Sequence, residues 1–222
     1  MIALNKQELK VEQPLPTIIA VDGALAKSGV CIIRNEEGKN YCYSYLLECK
    51  ELNSYRLIYL FNQLNELVDT YEPQFACVEG YAHKAMGRVF SIGEAGGVFR
   101  LAFATKNIST VEIPPTTLKK YITGNGRADK KTMKAAIKSI FDMQFKTNDE
   151  VDAFGLAIAG LDYFNTEMSS VDSFRDYLQS TCVLLNGVHP NTMDDWDKLK
   201  VSGIRKDQLK QIAKIRKEVN GV

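Results

Sequence analysis

The order of apolar and polar positions sorts most of the chain into elements. Residues 17–22 (TIIAVD) are an apolar, β-branched run that predicts a buried strand. Residues 23–29 read as a turn. Residues 30–34 and 41–47 follow as strands, with a hairpin turn at 36–38. Leu57, Leu60, Leu64, Leu67 and Val68 recur at helical spacing over 53–71, after a cap at Asn53 or Ser54, and Pro73 stops that helix. Residues 75–78 form a fourth strand run that ends on Glu79. Residues 89–106 read as a helix holding Gly93, Gly96 and Gly97, each costing roughly 1 kcal/mol of helix propensity. Residues 110–113 predict a fifth strand, halted by Pro114 and Pro115. A short helix to about residue 122, a loop at 123–127 (TGNGR) and helices over 129–141 and 149–164 complete the pattern.

The two ends read differently. Residues 1–16 are polar and contain Pro14 and Pro16, which predicts a loose N-terminal arm. Residues 165–222 read as a helical extension. Phe174, Tyr177, Leu178 and Leu185 are periodic, Asn186 and Gly187 form a turn, and 207–219 is amphipathic with Lys and Arg on its polar side. Two uses stay open for this extension: added contact with a binding partner through its basic side, or a cap against the core. The expected division is thus an arm (1–16), a core domain (17–164) and a helical extension (165–222).

Composition narrows the class. Of 222 residues, 45% are apolar and 25% charged, which excludes a disordered, collagenous or fibrous chain. No apolar run approaches the length of a membrane span, and the N-terminus shows no apolar signal segment. Five cysteines, an odd number with no C-x-x-C pair, argue against a disulfide framework or structural zinc and for reduced thiols in the cytoplasm. Charge is unevenly spread. Residues 106–146 carry net +6, 166–197 net −5 and 198–222 net +6. Two basic blocks suit a polyanion, or else a solvated helix face.

Four acids stand out by position. Asp22 ends the first core strand and Glu79 the fourth. Asp149 and Asp152 lie three apart at the start of the last core helix, so they share one face. Strand ends and a helix start at one rim would bring all four together. Clustered carboxylates repel unless protonated or filled by cations, and an all-oxygen set suits Mg²⁺ or Mn²⁺. Two such ions about 4 Å apart activate a water and stabilise the leaving oxygen of a phosphodiester. Asp149 and Asp152 also suit a helix N-terminus through its dipole, and Glu150 between them reads as an acid of that kind.

Five segments carry a resemblance: IIAVDGALAKSGVCII, ACVEGY, SIGEAGGVFRLAFA, VEIPPTTLKKYITGNGRADKKTM and DEVDAFGLAIAGLDYF. In this order the chain resembles a RuvC-type Holliday-junction resolvase, and within that family a phage member. The resemblance implies a ribonuclease H-like fold, a mixed five-stranded sheet flanked by helices. It implies a homodimeric, Mg²⁺-dependent endonuclease that nicks four-way DNA junctions symmetrically, with no membrane partner. If phage-encoded, it would act in the host cytoplasm. Asp22, Glu79, Asp149 and Asp152 would be the catalytic, metal-holding acids, with two ions per site. Lys119 and Lys130 match DNA-contacting lysines of the family, and Lys120, Arg127 and Lys131 extend the same basic block.

After Glu79, Tyr81, Lys84 and Arg88 are placed against DNA near the cut. His83 reads as a surface histidine or as an aid to proton transfer. The family's aromatic wedge falls here on Ala82, a departure that bears on junction distortion. The glycines at 93, 96 and 97 either let their helix pack closely on its own sheet or serve the dimer contact that the family makes with this helix. Three alternatives stay open. They are a relaxed-specificity branched-DNA nuclease, an RNA-processing nuclease of the same fold, and a catalytically silent DNA-binding protein, which predicts loss of a carboxylate that is not lost here.

Overall fold

A computed structural model describes residues 5–24, 26–50, 53–80, 89–164 and 183–186. Its centre is β2 (Ile18–Asp22), which pairs antiparallel with β3 (Lys27–Glu36) and parallel with β5 (Phe75–Glu79). Outward from β3 lies β4 (Lys39–Glu48), antiparallel; outward from β5 lies β6 (Ser109–Ile113), parallel. These five strands are the mixed sheet that the sequence predicts.

Helices cover both faces. On one face pack α3 (Pro115–Thr123), α4 (Lys130–Phe141) and α5 (Asn148–Phe164); on the other pack α1 (Asn53–Tyr71) and α2 (Val89–Thr105). The β2 side chains alternate between them. Ile18 and Ala20 join the α5 core, while Ile19 and Val21 join the α1–α2 core. A strand buried on both faces needs an unbroken apolar run, which is why TIIAVD is legible.

The sheet has two further strands, one at each edge, giving seven in all among the described residues. Part of the expected arm is β1 (Asn5–Leu9), antiparallel to β4 from Asn5↔Ser44 to Leu9↔Asn40. Its residues, NKQEL, are polar because the strand is an edge with little to bury, so no apolar pattern marks it. The return to β2 is held by buried Asn40, whose amide donates to Val11 O and Gln13 O and accepts from Leu15 N. At the other edge, β7 (Val183–Asn186) pairs antiparallel with β6. A strand thus stands where the periodicity predicts the end of a helix; the short VLL run fits either reading, and the free edge of β6 supplies a backbone partner. The remainder of the expected helical extension lies outside the described residues.

The turn after β2 is also shorter than predicted, since β3 begins at Lys27. Ser28, wholly buried, donates to Ala24 O at 2.6 Å and accepts from Ala24 N at 3.1 Å, pinning this loop.

Candidate active site

Parallel pairing of β2 and β5, with Val21 beside Val78, ends both strands at one rim. Asp22 and Glu79 are the last residues of those strands, and their carboxyl groups hydrogen-bond to each other. Two carboxyls held this close repel unless one is protonated or a cation lies between them.

The start of α5 comes to the same rim, and Gly29 is the reason it fits. Gly29 pairs directly with Asp22 across the β2–β3 ladder. A Cβ at Gly29 would stand 2.1 Å from the carbonyl oxygen of Asp149 and 2.5 Å from its carbonyl carbon. The helix backbone therefore presses on the strand backbone where only glycine leaves room. This seat delivers Asp149 and Asp152 to Asp22, and all four acids stand half-buried.

Electrostatics record their proximity. Burial pushes the Asp22 carboxyl well above its usual range, and the charges of Glu79, Asp152 and Asp149 push it the same way. Glu79 is raised to about 7, chiefly by burial; its bond with Asp22 and the charges of Lys119 and Lys130 oppose the rise. Asp152 is raised by burial and by Asp149, again against Lys130 and Lys119. The site thus combines four acids with two lysines close enough to act on them.

The lysines arrive from α3 and α4. Pro115 opens α3 at a position where its missing N–H costs nothing, and Gly124 closes it in a left-handed conformation (φ 76°). Asn125 and Thr123 brace the loop by accepting from Arg127 N and Asn125 N. The Asp129 side chain then caps α4 through Thr132 N at 2.7 Å. Lys119 and Lys120 are half-buried on α3, while Arg127, Lys130 and Lys131 are exposed. The expected Tyr81, Lys84 and Arg88, with Ala82 and His83, lie outside the described residues.

The four-carboxylate set offers only hard oxygen donors, and its mutual repulsion is the kind that divalent cations relieve. Among the described residues no three such side chains close into a ready cation cage. The donor set fits Mg²⁺ or Mn²⁺.

One reading of the α2 glycines is corrected. A Cβ at Gly93 or Gly97 would meet nothing within 4 Å, so neither glycine serves close packing on its own sheet. They belong to an outward face with Phe90, 89% exposed, and Leu101, 55% exposed. Tyr55 and Ile58 of neighbouring α1 are exposed as well.

Sequence reasoning missed Gly29 and Ser28, having read both as turn. An isolated glycine inside a strand is the signal for close backbone approach, and it was masked by placing the start of β3 too late.

Comparison with known proteins agrees with this arrangement. A sequence model of the family described as crossover junction endodeoxyribonuclease RuvC matches residues 18–160. The RuvC of Prochlorococcus marinus (strain AS9601) is 31% identical over 159 residues, covering 67% of this chain and 99% of that protein. That of Treponema pallidum (strain Nichols) is 28% identical over 146 residues, covering 64% of this chain and 74% of that protein. Among solved structures, Thermus thermophilus RuvC in complex with a Holliday junction substrate superposes with a TM-score of 0.57 at 15% identity, covering 64% of this chain and 91% of that one; the likeness is one of fold. The matched residues run from β2 into α5 and hold all four acids and the Gly29 seat, and on that match the chain belongs to the RuvC family of crossover junction endodeoxyribonucleases.

Proposed function

We propose that this protein is a divalent-cation-dependent endonuclease that cuts four-way DNA junctions by phosphodiester hydrolysis, with Asp22, Glu79, Asp149 and Asp152 as its catalytic acids. One observation carries the assignment of residues. Two acids end neighbouring parallel strands at one rim, where a helix start seated on Gly29 adds two more acids and two lysines stand alongside. A surface salt-bridge network would pair such acids one to one with cations; here acids face acids.

The four carboxylates would hold Mg²⁺, two ions per site. Bound there, the cations supply an activated water and charge neutralisation at the phosphorus. Lys119 and Lys130 hold the phosphates flanking the cut, and Lys120, Arg127 and Lys131 extend that contact along the backbone without reading bases. Tyr81, Lys84 and Arg88 follow Glu79 closely in sequence and would approach DNA beside the scissile bond.

A homodimer would supply two such sites for paired nicks. The outward face of α2 supports this: Phe90 and Leu101 are exposed, and Gly93 and Gly97 leave room for a second backbone. The free thiols of Cys31, Cys42, Cys49 and Cys77 fit a reducing compartment such as the cytoplasm. As a working division, residues 17–164 form the nuclease domain, and 1–16 and 165–222 flank it, each lending one strand to an edge of its sheet.

End-labelled four-way junction, fork, duplex and structured RNA, each with Mg²⁺ or with chelator, test the proposal. The expected result is symmetric nicking of the junction in Mg²⁺ alone. Cleavage in chelator, or preferential cutting of RNA, would overturn it.

A further inference from the structure

Glu150, between the two helix acids, does more than favour a helix dipole. The Thr147 hydroxyl accepts from Glu150 N at 3.2 Å. In return the Glu150 carboxylate accepts from Thr147 N at 2.8 Å and from the Thr147 hydroxyl at 3.0 Å. This reciprocal pair is a capping box at the start of α5. A capping box works at the surface, so it does not by itself explain a glutamate with 0% exposure. The second carboxylate oxygen accepts from the hydroxyl of Ser44, on β4, at 2.7 Å, and Ser44 is equally buried. Burial thus gives a bond from the first turn of the helix to a strand of the sheet. A buried carboxylate is costly to desolvate, and here three donors satisfy it.

Helical geometry shows what this bond controls. At 3.6 residues per turn, Asp149 lies about 100° and Asp152 about 160° around the helix from Glu150, on the same side. The two site acids therefore project from the side opposite the anchor. Gly29 sets how close the helix start comes to the strands, and the apolar residues from Val151 to Leu161 seat the rest of the helix in the core. The Glu150–Ser44 bond adds a polar fixed point at its first turn, beside the two site acids.

We infer that Glu150 is a positioning residue: together with Ser44 and Thr147 it fixes the roll of the first turn of α5, and so where Asp149 and Asp152 stand relative to Asp22 and Glu79. The inference rests on the reading of those four acids as the site.

The test uses the full chain with E150A, E150Q and S44A, and with D22N as a separate control. Mn²⁺ binding without DNA is followed by the electron paramagnetic resonance signal of free Mn²⁺. Single-turnover junction cleavage, junction affinity and unfolding midpoint are measured beside it, all activity well below each variant's midpoint. E150A should raise the Mn²⁺ concentration for half-saturation and slow cleavage, each by about 10- to 100-fold, as misplacement of positioned groups by up to about 1 Å does. Junction affinity should not change. S44A should move both quantities the same way by less. E150Q should restore them, because its amide oxygen accepts from Thr147 and its NH₂ donates to the Ser44 hydroxyl.

A purely structural role would lower the unfolding midpoint of E150A and S44A while leaving Mn²⁺ binding and rate at wild-type values; that result overturns the inference. Should E150A fail to fold, S44A decides: Mn²⁺ binding and cleavage equal to wild type overturn it, and weakened binding at an unchanged junction affinity supports it. Wild-type cutting by D22N would overturn the reading of the acids, and this inference with it.

Discussion

Gly29→Ala is the smallest change that challenges the geometry of the site. The added methyl would lie 2.1 Å from the Asp149 carbonyl oxygen, where ordinary contact begins at 3.4 Å, so the start of α5 must retreat by about 1 Å. Neither partner is a flexible side-chain tip; strand and helix meet through backbone. Overpacking of this kind costs about 1–3 kcal/mol. The functional cost should be larger, because a misplacement near 1 Å of positioned groups lowers a rate by about 100-fold. Urea denaturation reads the first quantity and single-turnover cleavage of a four-way junction the second. Ser139→Ala is the matched control, since it lies exposed on α4 and a helix gains about 0.5 kcal/mol from the exchange. Wild-type stability and rate in Gly29→Ala would refute the seat. Lost stability with a full rate would refute its link to the acids.

Three other outcomes follow from the same structure. In cation-free protein, Glu79 is raised to about 7 from 4.5 and Asp22 is raised as well, so across this window the folded state holds protons that the unfolded chain has released. Stability should therefore fall as pH rises from about 5 to about 8, and added Mg²⁺ should reverse the trend; urea midpoints that rise with pH without cation would contradict this. Glu36, Glu48, Asp129 and Asp142, whose carboxyls are lowered by lysine partners or backbone donors, contribute the opposite slope below that window. Lys119→Ala and Lys130→Ala should each weaken junction binding for all sequences and reduce the salt slope by about one unit. They should also move the alkaline-going limb of the pH–rate profile upward, since both lysines now hold Glu79 down; an unchanged slope and profile would remove them from the site. Leu101→Glu on the outward face of α2 should yield a folded monomer by sedimentation, and a dimer unaffected by this charge would move the interface elsewhere.

What the sequence revealed follows from what each segment buries. The central strands were legible because β2 and β5 are covered on both faces, so their residues run apolar up to the acids at their ends. Those acids were conspicuous for the same reason: a carboxylate that ends an apolar run has no bland role. The edge strands were not legible. Polar β1 takes its place from backbone pairing with β4 and from Asn40, neither of which leaves a periodic trace. Glu150 shows another limit. A glutamate three places after a threonine signals a capping box, but the bond to Ser44, 106 residues away, is a property of the folded chain alone. The glycines of α2 were visible, yet whether they faced sheet or solvent was decided by how that helix rolled on its core of Phe99 and Phe103.

The central claim is that Asp22, Glu79, Asp149 and Asp152 form the site that hydrolyses DNA. The most direct measurement is single-turnover cleavage of a labelled four-way junction in Mg²⁺ by wild type, Asp22→Asn and Glu79→Gln, with junction affinity measured on the same samples. Binding rests on lysines and arginines that these variants retain. The account predicts symmetric nicks from the wild type, and no cleavage from either variant at undiminished affinity. Cutting by Asp22→Asn at the wild-type rate would contradict it.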